Sequence, residues 1–185
     1  MDIIKQERDF MNVAKPLKLY TLEEFEQMAR EDGWNYELID GLVMMSPRPS
    51  LEHQSISGNI YFELRNILKG SNCNPIQEID LVVDKNNLIP DLAVICNDEL
   101  KGKRYEKAPI IVIEIASFSS ISRDYVTKRN KYEQLGIQEY WVVSPDEKCI
   151  DVFDFAANKH MNYCSGKVQS SVLPEIEIDL DAIFA

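Results

Sequence analysis

The most restrictive feature of this chain is the segment of residues 109–116, which reads Pro-Ile-Ile-Val-Ile-Glu-Ile-Ala. A near-continuous apolar run of this length is typical of a strand that is buried on both faces at the centre of a sheet. Glu114 interrupts the run, and a carboxylate in such a place costs several kcal/mol unless a cation or hydrogen-bond donors contact it. The segment therefore predicts a central strand whose glutamate has a specific partner.

The residues that follow this strand predict a crossover. Tyr125 and Tyr132 lie at compatible helical spacing within residues 122–135, and Gly136 is a helix stop signal. Residues 138–144 return to a strand pattern. A strand, a helix and a strand in this order predict a right-handed crossover that joins parallel strands of an otherwise mixed sheet.

The rest of the chain predicts shorter elements around this core. The predicted fold class is α/β (α+β), with a mixed central β-sheet flanked by helices, and the predicted division is a flexible N-terminal arm over residues 1–19 and a single domain over 20–185. In chain order, the other elements are a helix that begins at the Thr-Leu-Glu-Glu capping box of residues 21–24 and ends at Gly33, a hairpin of 36–39 and 42–45 around Asp40-Gly41, a helix over 51–69, strands over 76–84 and 88–96, a hairpin of 149–155 and 161–165, and an extended segment with a short turn over 173–184.

Composition and charge limit the classes of partner. The chain is 45% hydrophobic and 28% charged, no apolar run approaches the ~20 residues of a membrane span, and the N-terminus mixes charges, so we expect a soluble cytoplasmic protein with no membrane partner. The net charge of −11 argues against tight nonspecific DNA binding by a bare monomer. The cations of Lys-Gly-Lys-Arg at 101–104 and of Lys107 predict a solvated loop rather than a phosphate track.

The cysteines and histidines do not form a metal-binding pattern. No C-x-x-C pair is present, and His53 and His160 lie far in sequence from any cysteine pair, which makes a zinc site improbable. His53 is predicted to be a helix-start or hydrogen-bonding residue near the rim of the site. Buried free thiols are predicted for the four cysteines, Cys73, Cys96, Cys149 and Cys164.

Three carboxylates and one lysine fall on or just after strand-like segments. Pro90 removes a ladder donor, so the Asp91 side chain is expected to leave the regular pleat and face a cleft. Glu114 lies in the next predicted strand, and adjacent strands are only about 5 Å apart, within the span of one hard cation held by both carboxylates. Glu37 is predicted to supply a third oxygen, and Lys128 to direct its ammonium toward the same site.

Six stretches in a fixed order carry a resemblance to a known family. They are Tyr-Glu-Leu-Ile-Asp-Gly (36–41), Ser-Leu-Glu-His (50–53), Pro-Asp-Leu-Ala-Val (90–94), Val-Ile-Glu-Ile (112–115), Asp124 through Lys128 to Tyr132, and Gly-Ile-Gln-Glu-Tyr-Trp-Val-Val (136–143). The chain resembles the Uma-two family of restriction-endonuclease-like proteins, within the PD-(D/E)xK nuclease superfamily. The resemblance implies a metal-dependent DNA endonuclease, with Asp91 and Glu114 as ligands of Mg²⁺ (or Mn²⁺) and Glu37 completing the acidic site.

One position departs from the superfamily pattern. The lysine of the D/E-x-K motif would fall at position 116, which is Ala116 in this chain. The resemblance nominates Lys128 on the next helix as the displaced lysine, and Lys131 fits the spacing less well. The implied reaction is hydrolysis of a phosphodiester by a metal-activated water, with one or two ions left open. The expected partners are DNA as substrate and a second copy of the chain in a homodimer.

A second class of function stays open. Taken singly, Glu37 and Asp91 are ordinary strand-edge acids, Lys128 is a surface helix lysine, and Trp34 and Trp141 are core aromatics. The alternative is therefore a catalytically inactive nuclease-fold protein that serves as a binding or assembly module. Retention of the three acids and Lys128 favours the enzyme, whereas the acidic net charge favours the alternative. Convergence of the four side chains within ~5–6 Å distinguishes the two.

Overall fold

The predicted central strand is present as residues Ile111–Ile115. The structure, a computed structural model, describes residues 17–117 and 123–185, so most of the predicted N-terminal arm lies outside the described residues. The helices are α1 (Leu22–Glu26), α2 (Leu51–Ile67), α3 (Arg129–Gln134) and α4 (Leu180–Ile183), and a π-helical turn, Arg123–Lys128, precedes α3. The strands are β1 (Trp34–Ile39), β2 (Leu42–Pro47), β3 (Cys73–Gln77), β4 (Leu81–Val83), β5 (Asn86–Leu88), β6 (Leu92–Cys96), β7 (Ile111–Ile115), β8 (Glu139–Ser144), β9 (Cys149–Asp154), β10 (Lys159–Tyr163), β11 (Lys167–Gln169) and β12 (Glu177–Asp179).

A six-stranded mixed sheet forms the core, in the order β10-β9-β8-β7-β6-β3. Strand β7 pairs antiparallel with β6 and parallel with β8, so the predicted parallel crossover is confirmed. All five residues of β7 are buried, as the apolar run indicated. The mixed central sheet with flanking helices confirms the predicted fold class.

The two faces of β7 pack against different helices. Ile113 belongs to the hydrophobic cluster that includes α2 and the C-terminal segment, whereas Val112 belongs to the cluster that includes Tyr132 of α3. Because side chains alternate along a strand, Glu114 lies on the same face as Val112. The crossover helix α3 and its preceding π turn therefore cover the glutamate.

A smaller sheet of order β2-β1-β5-β4 was not predicted. The strands predicted over residues 76–84 and 88–96 are each divided, and the inner parts, β4 and β5, pair with each other and join the β1–β2 hairpin. Glu78, with φ of +47°, breaks the first segment, and Pro90, which has no N–H to donate, breaks the second. The prediction of two long strands is therefore wrong, because the chain changes sheets at these two positions.

Local signals near the N-terminus behave largely as predicted. Thr21 N donates to Glu24 Oε2 (2.9 Å) and Glu24 N donates to Thr21 Oγ1 (3.1 Å), which confirms the capping box. Helix α1 ends at Glu26 rather than near Gly33, because Met28 N bonds back to Phe25 O in a 3₁₀-type closure. In the described residues, no helix is both long enough and apolar enough to cross a bilayer.

The two tryptophans have different environments. Trp141 on β8 is fully buried, as predicted. Trp34 is 44% exposed, so its assignment to the core is wrong. It begins β1 opposite Pro47 of the edge strand β2, at the end of the smaller sheet, where little of the core can cover it.

The predicted free thiols are also wrong, because the cysteines form two disulfides. Cys73 and Cys96 lie directly opposite each other on β3 and β6, with a Cα–Cα distance of 4.0 Å. Cys149, which begins β9, is bonded to Cys164, just past β10, with a Cα–Cα distance of 4.2 Å. Strand register places each pair within bonding distance, and this register cannot be inferred from the wide spacing of the four cysteines along the chain.

Reduction is expected to destabilise the protein measurably. The two bonds close loops of 23 and 15 residues, for which the chain-entropy model gives about 3 kcal/mol each. We expect the free energy of unfolding, measured in urea with and without dithiothreitol, to fall by about this amount for each bond reduced. The pairs Cys73→Ser/Cys96→Ser and Cys149→Ser/Cys164→Ser separate the two contributions. Equal unfolding midpoints for oxidised and reduced protein would contradict the expectation.

Candidate active site

A cleft of about 380 Å³ lies where the smaller sheet meets the end of β7. Its lining comes from the β1–β2 hairpin, the first turn of α2, the break before β6, the end of β7 and the π turn. All four residues predicted for the site line this cleft, namely Glu37, Asp91, Glu114 and Lys128. The cleft is therefore the candidate active site.

Lys128 joins two of the predicted acids. Its Nζ donates to Glu114 Oε1 at 2.9 Å and lies 2.9 Å from Glu37 Oε1. Each of the three residues is only 3% exposed. The prediction that Glu114 has a specific partner is therefore confirmed, since the Lys128 ammonium contacts this buried carboxylate.

Three separate parts of the fold bring these groups together. Glu37 lies on β1 of the smaller sheet, and its Oε1 also accepts a hydrogen bond from Ile89 N (2.9 Å) just after β5. Glu114 lies on the central sheet, and Lys128 ends the π-helical turn that leads into α3. Single π turns within helices are frequent at functional sites. The ion pair thus connects the two sheets through one side chain.

Asp91 lies beside this group, at the break before β6. Leu92 pairs with Ile113, which places Asp91 next to Glu114 across the antiparallel ladder. Its Oδ2 accepts a hydrogen bond from Ile115 N (2.7 Å) and lies 3.1 Å from Nε2 of His53. The expectation that His53 is a hydrogen-bonding residue at the rim of the site is therefore confirmed.

Burial and charge shift the acid–base properties of the site. Burial raises the pKa of the Glu114 carboxyl well above its ordinary value of 4.5, against the opposing effect of the Lys128 charge. Burial lowers the pKa of Lys128, but the charges of Glu114 and Glu37 outweigh it and raise that pKa above its ordinary value. The raised pKa of Glu114 and the raised pKa of Lys128 are compatible, because a single ammonium lies between two buried carboxylates. Lys128 is a permanent positive charge at the floor of the cleft.

The charge of Asp91 also affects the His53 ring. Burial lowers the pKa of His53, but the hydrogen bond to Asp91 and the charge of that carboxylate outweigh burial and raise it above 6.5. The protonated ring, which donates from both nitrogens, is the form that the aspartate favours.

Two residues that delimit a stretch of the family resemblance, Tyr132 and Asp124, were given no role in the site from the sequence. Tyr132 OH donates to Glu114 Oε1 at 2.6 Å, and burial raises the pKa of this phenol so that it remains a donor. Asp124 is 2% exposed and lines the cleft one helical turn before Lys128. The signal for Tyr132 was its i, i+4 spacing from Lys128, which places both side chains on one helix face.

The other lysine considered for the site points elsewhere. Lys131 Nζ contacts Asp40 Oδ1 in the β1–β2 turn and donates to Gln134 Oε1 (3.0 Å). Asp40 is an exposed residue of a two-residue turn in which both φ angles are positive. Lys131 therefore fastens the hairpin to α3 and does not line the cleft, in agreement with its poorer fit to the family spacing.

The basic loop predicted to be solvated has that character. Lys101 pairs with Glu99 at 2.5 Å, Arg104 with Glu26 and Glu106, and Lys107 with Asp98 at 2.7 Å. Most of the positive charge of the loop is therefore balanced by neighbouring acids.

The carboxylates retain oxygens that are suited to a metal ion. Among the described residues, no donor contacts Asp91 Oδ1 or Glu114 Oε2, and both side chains line one cleft. Carboxylate oxygens are the ligands that Mg²⁺ and Mn²⁺ prefer. The described residues contain no group of three His, Cys, Asp or Glu side chains arranged to hold a metal, and the Lys128 ammonium contacts both Glu37 and Glu114. The donor set fits a divalent ion at two carboxylates, and three-acid ligation remains a prediction.

Comparison with known proteins identifies the family. Residues 22–181 match the sequence model of Uma2, which is described as "Putative restriction endonuclease". This chain belongs to the Uma2 family. The predicted resemblance is confirmed, and the Uma2 match spans all four candidate residues. No curated protein sequence matches the chain.

A solved structure supports the Uma2 fold. It is described as a "putative nuclease belonging to DUF820" from Anabaena variabilis, and it is 19% identical to this chain. The TM-score is 0.75, and the match covers 89% of this chain and 97% of the other. The likeness establishes a shared nuclease-like fold.

Proposed function

We propose that this Uma2 protein is a metal-dependent DNA endonuclease, a hydrolase of phosphodiester bonds. The observation that carries the proposal is the Lys128 ammonium held 2.9 Å from both Glu37 and Glu114 at the floor of a cleft that Asp91 also lines. Burying such a group costs desolvation energy that a well-packed apolar core avoids. A charged cluster in a concave site is therefore better explained by chemistry than by stability.

Asp91 and Glu114 are the residues that would hold Mg²⁺ (or Mn²⁺), through the oxygens that no described donor contacts. When bound, a divalent cation lowers the pKa of coordinated water and offsets charge that develops on a phosphate. Ile115 N and His53 fix Asp91 through its other oxygen, and Tyr132 and Lys128 fix Glu114 through its Oε1. The protein thus holds both carboxylates in place before any ligand arrives.

Lys128 is proposed to act on the phosphate, and Glu37 to hold Lys128 in place. In this proposal the Lys128 ammonium stabilises negative charge that grows on the phosphate in the transition state. Glu37, anchored by Ile89 N, holds the ammonium in position and completes the acidic site. The fixed charge at Lys128 replaces the lysine that the superfamily motif would place at Ala116.

A noncatalytic binding or assembly module is the competing function, and the cleft walls favour it. Among the described residues that line the cleft are Glu52 and Asp146, with Arg48 as the arginine beside them. Such walls repel a polyanion unless cations are present. The two functions predict opposite results in a cleavage assay.

The test is cleavage of supercoiled plasmid and of single-stranded DNA by purified protein with manganese or magnesium. We expect nicking or degradation that needs the metal and stops with EDTA. The variant Glu114→Gln, purified in parallel, excludes a contaminating nuclease and is expected to be inactive. Absence of cleavage by the wild type with either metal and either DNA would favour the module over the enzyme.

A further inference from the structure

We propose that His53 is a positioning residue that fixes the Asp91 carboxylate for metal binding. The inference rests on the proposed function and goes beyond it, because it assigns a role in metal affinity to a residue that is not itself a ligand. Ligating carboxylates are commonly held by hydrogen bonds from neighbouring groups, and loss of such a partner weakens metal binding.

The geometry around Asp91 supports this role. Asp91 Oδ2 has two contacts from different elements of the fold. Ile115 N of β7 donates to it at 2.7 Å, and His53 Nε2 of α2 lies 3.1 Å from it. Two contacts to one oxygen fix the rotation of the carboxylate, and no described donor contacts Oδ1. The contacts therefore hold the Asp91 carboxylate, and the strand register places this residue opposite Glu114.

The fold holds the His53 ring from the first turn of α2. Ser50 caps this helix, and its Oγ accepts a hydrogen bond from His53 N (3.2 Å). Farther along α2, Ile56 and Ile60 pack into the hydrophobic cluster that also contains Ile113 of β7. The ring is thus attached to a rigid element, and its side chain is only 15% exposed.

The other ring nitrogen argues against a purely stabilising role. His53 Nδ1 is buried and has no hydrogen-bond partner among the described residues. A buried polar atom without a partner opposes folding. Among the described residues, the hydrogen bond to Asp91 is therefore the contact that gives the buried ring a partner.

A second histidine–aspartate pair provides a matched control. His160 Nε2 lies 2.6 Å from Asp151 Oδ1, and Tyr125 OH donates to Asp151 Oδ2 at 2.5 Å. Both oxygens of Asp151 are therefore occupied, and neither residue lines the cleft described above. Removal of the His160 ring tests the loss of a similar contact without any change at the proposed metal ligands.

The experiment measures Mn²⁺ affinity by calorimetry on metal-free full-length protein, with free Mn²⁺ followed independently by electron paramagnetic resonance. We expect His53→Leu to weaken binding about 10–100-fold. His53→Gln, whose amide nitrogen matches the position of Nε2, is expected to restore affinity to within about threefold of the wild type, by retaining the donor. His160→Leu is expected to leave affinity unchanged.

The outcomes separate this inference from the proposed function. Wild-type affinity in His53→Leu, or equal losses in His53→Leu and His53→Gln, would overturn the positioning role while leaving the metal site intact. Absence of Mn²⁺ binding by the wild type would overturn the proposed function and this inference with it. If His53→Leu does not fold, His53→Asn, whose amide matches Nδ1 and does not reach Asp91, takes its place with the same expected loss.

Discussion

Replacement of Lys128 with methionine is expected to lower the free energy of unfolding of the metal-free protein by about 3–5 kcal/mol. The ammonium contacts Glu37 and Glu114 at 2.9 Å each, and all three groups are almost fully buried. Methionine keeps most of the side-chain volume, so the loss comes from two carboxylates left without a cation rather than from a cavity. Removal of one partner from a buried ion pair is among the largest effects of single substitutions.

Urea unfolding in EDTA measures this loss, and Lys131→Met is the control. Lys131 is also buried on α3, but the side chain of its partner, Asp40, is 65% exposed, so we expect a change of no more than about 1 kcal/mol. The double variant Lys128→Met/Glu114→Gln is expected to recover part of the stability, because one unpaired charge is removed. Equal stabilities for Lys128→Met and Lys131→Met would show that the two buried carboxylates do not depend on the Lys128 charge.

The same variant separates stability from catalysis. Lys128→Met is expected to lose cleavage while keeping Mn²⁺ affinity, since the ammonium acts on the transition state and is not a ligand. Lys131→Met is expected to cleave normally. Full cleavage by Lys128→Met would show that the displaced lysine has been assigned wrongly.

Replacement of Asp91 with asparagine or Glu114 with glutamine is expected to abolish measurable Mn²⁺ binding. The metal is expected to stabilise the transition state by several kcal/mol, so its loss is expected to lower the rate of cleavage about a thousandfold or more. Both variants are isosteric and keep an oxygen for the existing donors, Ile115 N for residue 91 and Tyr132 for residue 114. The fold is therefore expected to survive, and calorimetry with Mn²⁺ reports the loss directly.

Glu139→Gln is the matched control for these substitutions. Glu139 is a fully buried strand glutamate at the start of β8, with Trp141 Nε1 and the backbone of Ser171 and Val172 as donors. Its donors occupy both oxygens, so no metal role is expected. Glu139→Gln is expected to cost stability and to leave Mn²⁺ affinity unchanged. Unchanged affinity in both Asp91→Asn and Glu114→Gln would remove these residues from the metal site.

The fold could be predicted where one local pattern decides the element. The apolar run of residues 109–116, the crossover that follows it and the Asp40-Gly41 turn each depend on neighbouring residues only. The change of sheet at Glu78 and Pro90 could not be predicted, because an apolar stretch reads as a strand whichever sheet it joins. The disulfides were missed for a related reason, since strand register decides which cysteines lie opposite each other.

The site was predictable in part, for different reasons at each residue. Glu114 stood out because isoleucines flank it, whereas Lys128 depended on resemblance to the family, since most helix lysines lie at the surface. His53 and its partner Asp91 are 38 residues apart, and no local pattern links them. Glu139 is as deeply buried as Glu114, and only the packing of the C-terminal segment reveals that its role is structural.

Anomalous diffraction from a crystal soaked in manganese tests the central claim most directly. We expect a peak between Asp91 and Glu114, about 2.1 Å from an oxygen of each, with Lys128 beside it and outside the coordination sphere. The Glu114→Gln crystal, soaked identically, is expected to lack the peak. A wild-type crystal with manganese bound elsewhere, and none between Asp91 and Glu114, would contradict the assignment of these two residues as metal ligands.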